Sequence, residues 1–194
     1  MICVNKKVIL YFCLFIALLF VFSISIVMFF KATEKKKIVK TDDVYMEATT
    51  LNIELKDTIS VSDEFGKSIS NDNGGSFAYV DIELINSAEE QRTFELYVTD
   101  TNKPSTTLIK PRFIKLYLTD EEDKAIGMYD SSIIPNFADL EYLKTKASSK
   151  LLLKGTLEAY EHSNIKLRSW IADTYVATDG SYTFNYDLGI RAVE

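Results

Sequence analysis

Residues 78–98 read AYVDIELINSAEEQRTFELYV. Ala78, Val80, Ile82 and Leu84 alternate with Tyr79, Asp81 and Glu83; after a polar break, Phe94, Leu96 and Val98 alternate with Glu95, Tyr97 and Thr99. A period of two sends successive side chains to opposite faces of a strand. One apolar and one wet face is the pattern of an antiparallel sheet. The polar break Asn86-Ser87-Ala88-Glu89-Glu90 fits a hairpin tip, which would join Phe77–Ile85 to Thr93–Thr99.

The same period extends outward along the chain. Leu51, Ile53 and Leu55 alternate with polar residues, as do Ile114, Leu116 and Leu118, and Ile165, Leu167 and Ile171. Leu151–Leu157 adds a further run, interrupted by Gly155, and Tyr182, Phe184, Tyr186, Leu188, Ile190 and Ala192 share one side of a last strand. Turn-forming clusters at 62–66, 71–75, 120–123 and 179–180 separate these runs. Pro135–Ser148 is the one candidate helix, with Phe137, Leu140 and Leu143 on one face. The expectation is an all-β domain over residues 50–194, an antiparallel two-sheet β-sandwich of jelly-roll-like form.

Upstream the pattern changes. Val8–Phe30 reads VILYFCLFIALLFVFSISIVMFF, 23 residues without a charge. As a helix it reaches roughly 34 Å, enough to cross a hydrocarbon core of about 30 Å. The chain therefore divides into a short tail (1–7), a transmembrane signal-anchor helix (8–30) in contact with membrane lipid, a basic juxtamembrane linker (31–49) that becomes ordered near Val44, and the β-domain. A cleaved signal peptide fits less well, because the apolar run continues past Ser23-Ile24-Ser25. The flanking lysines, five of them between Lys31 and Lys40, favour the domain inside the cell. The seven-residue tail, the Thr/Ser/Tyr-rich β-pattern and a domain without cysteine favour the outside. The reading adopted is a single-pass protein of the cell membrane with an extracellular C-terminal domain.

The formal charge of −6 over 194 residues conceals this division. Residues 1–40 hold seven lysines and one glutamate, a net +6, whereas residues 41–194 hold 15 Lys/Arg and 27 Asp/Glu, a net −12. A domain so acidic repels phosphate backbones, which excludes nucleic acid as a partner. Cys3 and Cys13 precede the domain, so neither a disulfide framework nor a zinc knuckle is available to it.

Few residues suggest chemistry. His162 is the only histidine and sits in a polar turn, and no metalloprotease, nucleophile-elbow, phosphate-loop or dinucleotide motif is present. No catalytic, cofactor-binding or metal-binding residue is assigned. Asp120, Glu122 and Asp123, and Asp72 with Asn71 and Asn73, lack the spacing of a calcium loop and read as solvated tips. Lys166, Arg168 and Trp170 share a strand face opposite Ile165 and Leu167, a candidate ligand or interaction surface. Leu51, Ile53 and Leu55, beside the linker, form the candidate exchanged strand.

The order of an SD-x-x-G turn (Ser62-Asp63-Glu64-Phe65-Gly66), an asparagine-ended strand (Val80–Asn86) with Phe94–Val98, and a late Leu167-Arg168-Ser169-Trp170 strand resembles membrane-anchored or secreted β-sandwich surface proteins of low-GC Gram-positive bacteria. It is more distantly similar to the TasA/camelysin group of biofilm matrix proteins. The resemblance spans roughly residues 50–193. It implies a jelly-roll-like domain displayed on the surface and, for TasA-like members, assembly into fibres by passing an N-terminal strand to a neighbour. The anchor here departs from that group's cleaved signal peptide, and no zinc-protease residues accompany the resemblance. The functional expectation is a non-enzymatic surface protein for assembly or envelope structure, with self-assembly or a surface protein as partner. Alternatives are a glycan- or ligand-binding module and an accessory subunit of a secretion or conjugation complex.

Overall fold

The alternating runs become ten strands: β1 (Lys37–Thr41), β2 (Val44–Ala48), β3 (Asn52–Lys56), β4 (Ala78–Asn86), β5 (Arg92–Asp100), β6 (Ile114–Asp120), β7 (Tyr142–Leu143), β8 (Lys146–Leu157), β9 (His162–Ile171) and β10 (Thr183–Val193). The computed structural model describes residues 36–41, 43–56, 59–71, 77–103, 108–144, 146–176 and 182–193. The tail 1–7, the span Val8–Phe30, Asp72 and Asn73 lie outside the described residues. Among the described residues no helix is long and apolar enough to cross a membrane.

The strands form two five-stranded antiparallel sheets, one ordered β1-β2-β4-β9-β6 and the other β3-β10-β5-β8-β7. Their apolar faces meet as a sandwich. Val80, Ile82 and Leu84 of β4, Leu96 and Val98 of β5, Leu167 of β9 and Phe184 and Tyr186 of β10 are all buried. Each such side chain contributes about 1.5–3 kcal/mol through burial. Across the core, the Phe137 ring lies 4.9 Å from Phe184 and 5.6 Å from Tyr186, tilted or edge-on.

Three expectations are corrected. First, β4 and β5 do not form a hairpin. They belong to opposite sheets, and Asn86–Gln91 crosses between them. The crossing is held by the Asn86 carboxamide, which is 1 % exposed. Its Nδ2 donates to the Glu90 and Glu158 carbonyls, both at 2.8 Å, while Oδ1 accepts from the Ala88 N–H at 3.0 Å. A polar break of five residues marks a reversal but not the sheet to which the chain returns. Among the described strands only β1–β2 and β7–β8 are successive partners within one sheet.

Second, Pro135–Ser148 is not a helix. It contains a 3-10 turn at Phe137–Asp139, then β7 and the start of β8. The Asn136–Asp139 capping box starts that turn, and the extended backbone of Leu140 (φ −65°, ψ 142°) stops it after three residues. Phe137, Leu140 and Leu143 are buried as the spacing suggests, but steps of three serve a 3-10 turn and an irregular crossing as well as an α-helix. The buried Lys150 secures the crossing by donating to the Ala138 and Leu140 carbonyls at 2.7 and 3.0 Å.

Third, the stretch 31–49 is not all linker. β1 and β2 occupy residues 37–48, and Val44, Met46 and Ala48 are fully buried. The compact unit starts at Lys36. Many lysines mask a five-residue strand whose own residues are mostly exposed.

The outer face of the first sheet is roofed by residues 59–71. A short helix, α1 (Asp63–Lys67), starts at the N-cap Ser62, whose hydroxyl accepts from the Phe65 N–H at 3.4 Å. Val61 bridges to Ala172 beyond β9, and Ile69 is buried beneath the roof's far end.

Candidate functional site

Lys166, Arg168 and Trp170 do share the outer face of β9, but that face is filled by the protein itself. Trp170 is 0 % exposed under α1, with Gly66 against its indole. The Arg168 guanidinium, also buried, donates from Nε to the Ile69 carbonyl at 2.8 Å, from Nη1 to Thr119 Oγ1 at 2.8 Å and from Nη2 to Asp123 Oδ1 at 2.5 Å. Its plane lies 5.4 Å from the Tyr79 ring centre. Lys166 donates to the Glu121 carbonyl at 2.7 Å and to Asp123 at 3.0 Å. These residues clamp the roof and the 120–124 turn onto the sheet, so Trp170 and Arg168 offer no surface to a ligand. The expectation of an interaction surface there is corrected. Strand alternation gave the face correctly but could not show that a segment a hundred residues upstream covers it.

Two carboxylates of the 120–123 turn are engaged, Asp120 within the turn and Asp123 in the clamp. Asp120 Oδ1 accepts from the Glu122 and Lys124 N–H groups at 3.0 and 2.9 Å. Asp123 adopts a left-handed φ of 65°, which aspartate tolerates, and turns its carboxylate onto β9. The hydrogen bond from Arg168, then that from Lys166, hold its carboxyl below the usual carboxylate range. Among the described residues no group of three His, Cys, Asp or Glu side chains could hold a metal ion. His162 opens β9 rather than lying in a turn. Its Nδ1 is 2.9 Å from Glu83 Oε1, and Lys36 Nζ lies 2.8 Å from the other oxygen. The bond to His162, then that to Lys36, lower the Glu83 carboxyl.

The second candidate, Leu51, Ile53 and Leu55, lies in and beside β3, the edge strand of the second sheet. Ile53 and Leu55 are buried, and among the described strands β3 pairs with β10 alone. The Leu188 N–H donates to the Leu51 carbonyl at 2.8 Å, flanking the Asn52–Asp187 pair. Antiparallel pairing then turns the backbone groups of Ile53 and Leu55 toward β10, and those of Asn52, Glu54 and Lys56 away from it.

The outer face of this sheet was not anticipated. A groove of about 790 Å³ runs along it, lined by Asn52, Glu54, Asn102, Lys103, Asn185 and Asp187 among others. Asn52 Nδ2 donates to Asp187 Oδ1 at 2.7 Å, and Asn102 braces the wall through the Asn185 carbonyl at 2.9 Å and the Asn185 N–H at 2.8 Å. Next along the same face, Gly189 pairs with Tyr97, and the phenol lies flat over the glycine. Lys146 Nζ is 5.1 Å from the Tyr97 ring centre. The available sequence signal was Tyr97 and Gly189 at outward positions of alternating strands; only the register joins them.

No protein family, curated protein or solved structure matches this chain.

Proposed function

We propose that the chain is a membrane-tethered, non-enzymatic surface protein. Val8–Phe30 anchors it, and its β-sandwich stands outside the cell for assembly or envelope structure. The observation that carries the assembly reading is the edge strand β3, bonded on one side to β10. An edge whose alternate backbone groups point outward is a template for strand addition from a second copy or a surface partner. β3 suits the accepting role. It is covalently tied at both ends, and its burial of Ile53 and Leu55 would have to be undone for it to leave. The jelly-roll-like reading rests on strand order: counted from β3, the first strand lies beside β10, the last, and β4, the second, lies beside β9, the last but one.

Two experiments test this. Protease added to intact cells should remove the domain; protection until lysis would reverse the orientation. Glu54→Pro deletes an N–H that points away from β10. In the full-length chain it should disperse oligomers detected by cross-linking while the melting temperature stays within a few degrees. Oligomers that persist unchanged in a folded variant would sink assembly through β3.

A further inference from the structure

We infer that β3 of one copy pairs with residues 153–156 of β8 in the next copy, so that the second sheet runs on from chain to chain. This pairing rests on β3 being the assembling edge, as proposed above, and supplies its partner. β7 covers only one end of β8. Tyr142 and Leu143 pair with Lys150 and Lys146, and the Leu151 N–H donates to the Glu141 carbonyl at 2.8 Å. Among the described strands, residues 153–157 pair with β5 alone. The sheet therefore has an open edge on each side, β3 at one and this half of β8 at the other.

The register fixes which peptide groups point into that second edge. Tyr186 and Phe184, the partners of Ile53 and Leu55, face β3, so Asp187, Gly189 and Arg191 face β5. Their partners Thr99, Tyr97 and Glu95 face β10, which leaves Phe94 and Leu96 facing β8. Gly155 and Leu153 pair with these two, so the peptide groups of Lys154 and Thr156 point away from β5. Neighbours in β3-β10-β5-β8 are all antiparallel, so β8 runs opposite to β3. A second copy in the same orientation thus brings its β3 antiparallel to β8.

Charge then selects the alignment. With Glu54 opposite Lys154 and Asn52 opposite Thr156, outward peptide groups meet on both strands. The faces agree as well. Glu54 and Lys154 are both exposed on the outer side, and Leu55 on the core side meets Leu153, which a single chain leaves only partly buried. An opposite-charge pair and an apolar pair directly across a ladder both stabilise it. A shift of two residues in one direction would set Lys56 against Lys154. The same shift in the other direction would set Glu54 against Leu152, where the bulge in β8 breaks the alternation. Full-length pairing of β3 with a second β3 would oppose Glu54 to Glu54. The contact therefore joins two unlike edges, and such a contact does not close on itself but extends into rows of copies.

The test is cross-linking of full-length chains on intact cells. The parent protein should give a ladder that extends beyond the dimer. Glu54→Pro and Thr156→Pro each delete one outward N–H, from β3 and from β8 respectively, and each alone should leave monomers. Expressed together under different tags, the two variants should give a mixed dimer and nothing longer, because each keeps the edge that the other lacks. Co-expressed variants that stay monomeric would overturn the inference. A full ladder from a folded Thr156→Pro, with Glu54→Pro monomeric, would overturn this pairing and leave assembly through β3 standing. A full ladder from a folded Glu54→Pro would remove both. Where Thr156→Pro does not fold, the charges decide. Lys154→Glu, which leaves Glu95 its Arg191 partner, should shorten the ladder, and adding Glu54→Lys to the same chain should restore it. A Lys154→Glu ladder as long as the parent's would overturn the inference.

Discussion

Gly66 in α1 sits so close to the Trp170 indole that a Cβ at position 66 would fall 2.5 Å from Cζ2. The atoms it would meet belong to a fully buried ring near the end of β9, with no room to retreat. Gly66→Ala should therefore lift the roof rather than move the tryptophan. Overpacking of this kind costs about 1–3 kcal/mol, against the gain that alanine usually brings to a helix. Trp170→Ala removes the seat itself and should cost about 3–5 kcal/mol. In Trp170→Ala, Gly66→Ala should lose most of its penalty, because the clash is gone. Chemical denaturation of the four-member cycle measures this; additive effects would show that the two residues are not coupled.

Arg168 and Asp123 close the same roof electrostatically. Arg168→Ala leaves the Ile69 carbonyl and Thr119 without this donor and Asp123 with Lys166 alone, and should cost about 2–4 kcal/mol. Arg168→Lys should recover little, since one ammonium cannot reach three acceptors in a plane. The carboxyl of Asp123 is held below its ordinary range by Arg168 and then Lys166. Its proton therefore binds more tightly in the unfolded chain than in the folded one. Its contribution is present above the unfolded value, about 4, and is lost as pH falls through the folded one. Asp123→Asn should flatten the acid limb of a stability–pH curve. An acid limb identical to that of the parent protein would place the protonation that drives unfolding elsewhere, with Glu83 the next group to replace.

Asn86 decides where the chain goes after β4. Its carboxamide donates to two carbonyls at 2.8 Å and accepts one N–H, all within the crossing to β5 and the turn before β9. Asn86→Asp keeps the shape but turns a carboxylate oxygen toward those carbonyls. In a site 1 % exposed this should cost about 2–4 kcal/mol near neutral pH. The loss should shrink in acid, where the protonated acid can donate once. Equal destabilisation at pH 4 and pH 7 would contradict this account.

Legibility in the sequence follows the range of the interactions involved. The period-two runs at 78–84, 94–98 and 165–171 report a local fact, which face is apolar, and each became a strand with that face inward. Which sheet each strand joins is non-local. Residues 86–90 look like a hairpin tip because the partners of Asn86 include Glu158, 72 positions away. Trp170 reads as an outward tryptophan because its cover, Gly66, lies 104 positions upstream. Phe137, Leu140 and Leu143 are spaced for a helix and are buried as one, but the chain turns extended at Leu140, three residues after the turn begins. The groove face had no pattern to detect, since polar outward residues are what any solvated strand carries.

Gly189 and Tyr97 approach each other nearly as closely as Gly66 and Trp170 but on an outer face. A Cβ at 189 would fall 2.6 Å from Tyr97 Cε2, yet Tyr97 is only partly buried on an outer face and its ring can swing away. The contrast with Gly66 is therefore one of freedom rather than of distance. Gly189→Ala should change stability by no more than about 1 kcal/mol, because alanine's lower unfolded-state entropy offsets the displaced ring. Gly66→Ala, whose clash meets a ring with no room to move, should lose distinctly more. Chemical denaturation of the two variants side by side measures this; equal losses would show that the Tyr97 ring is held as firmly as the Trp170 indole.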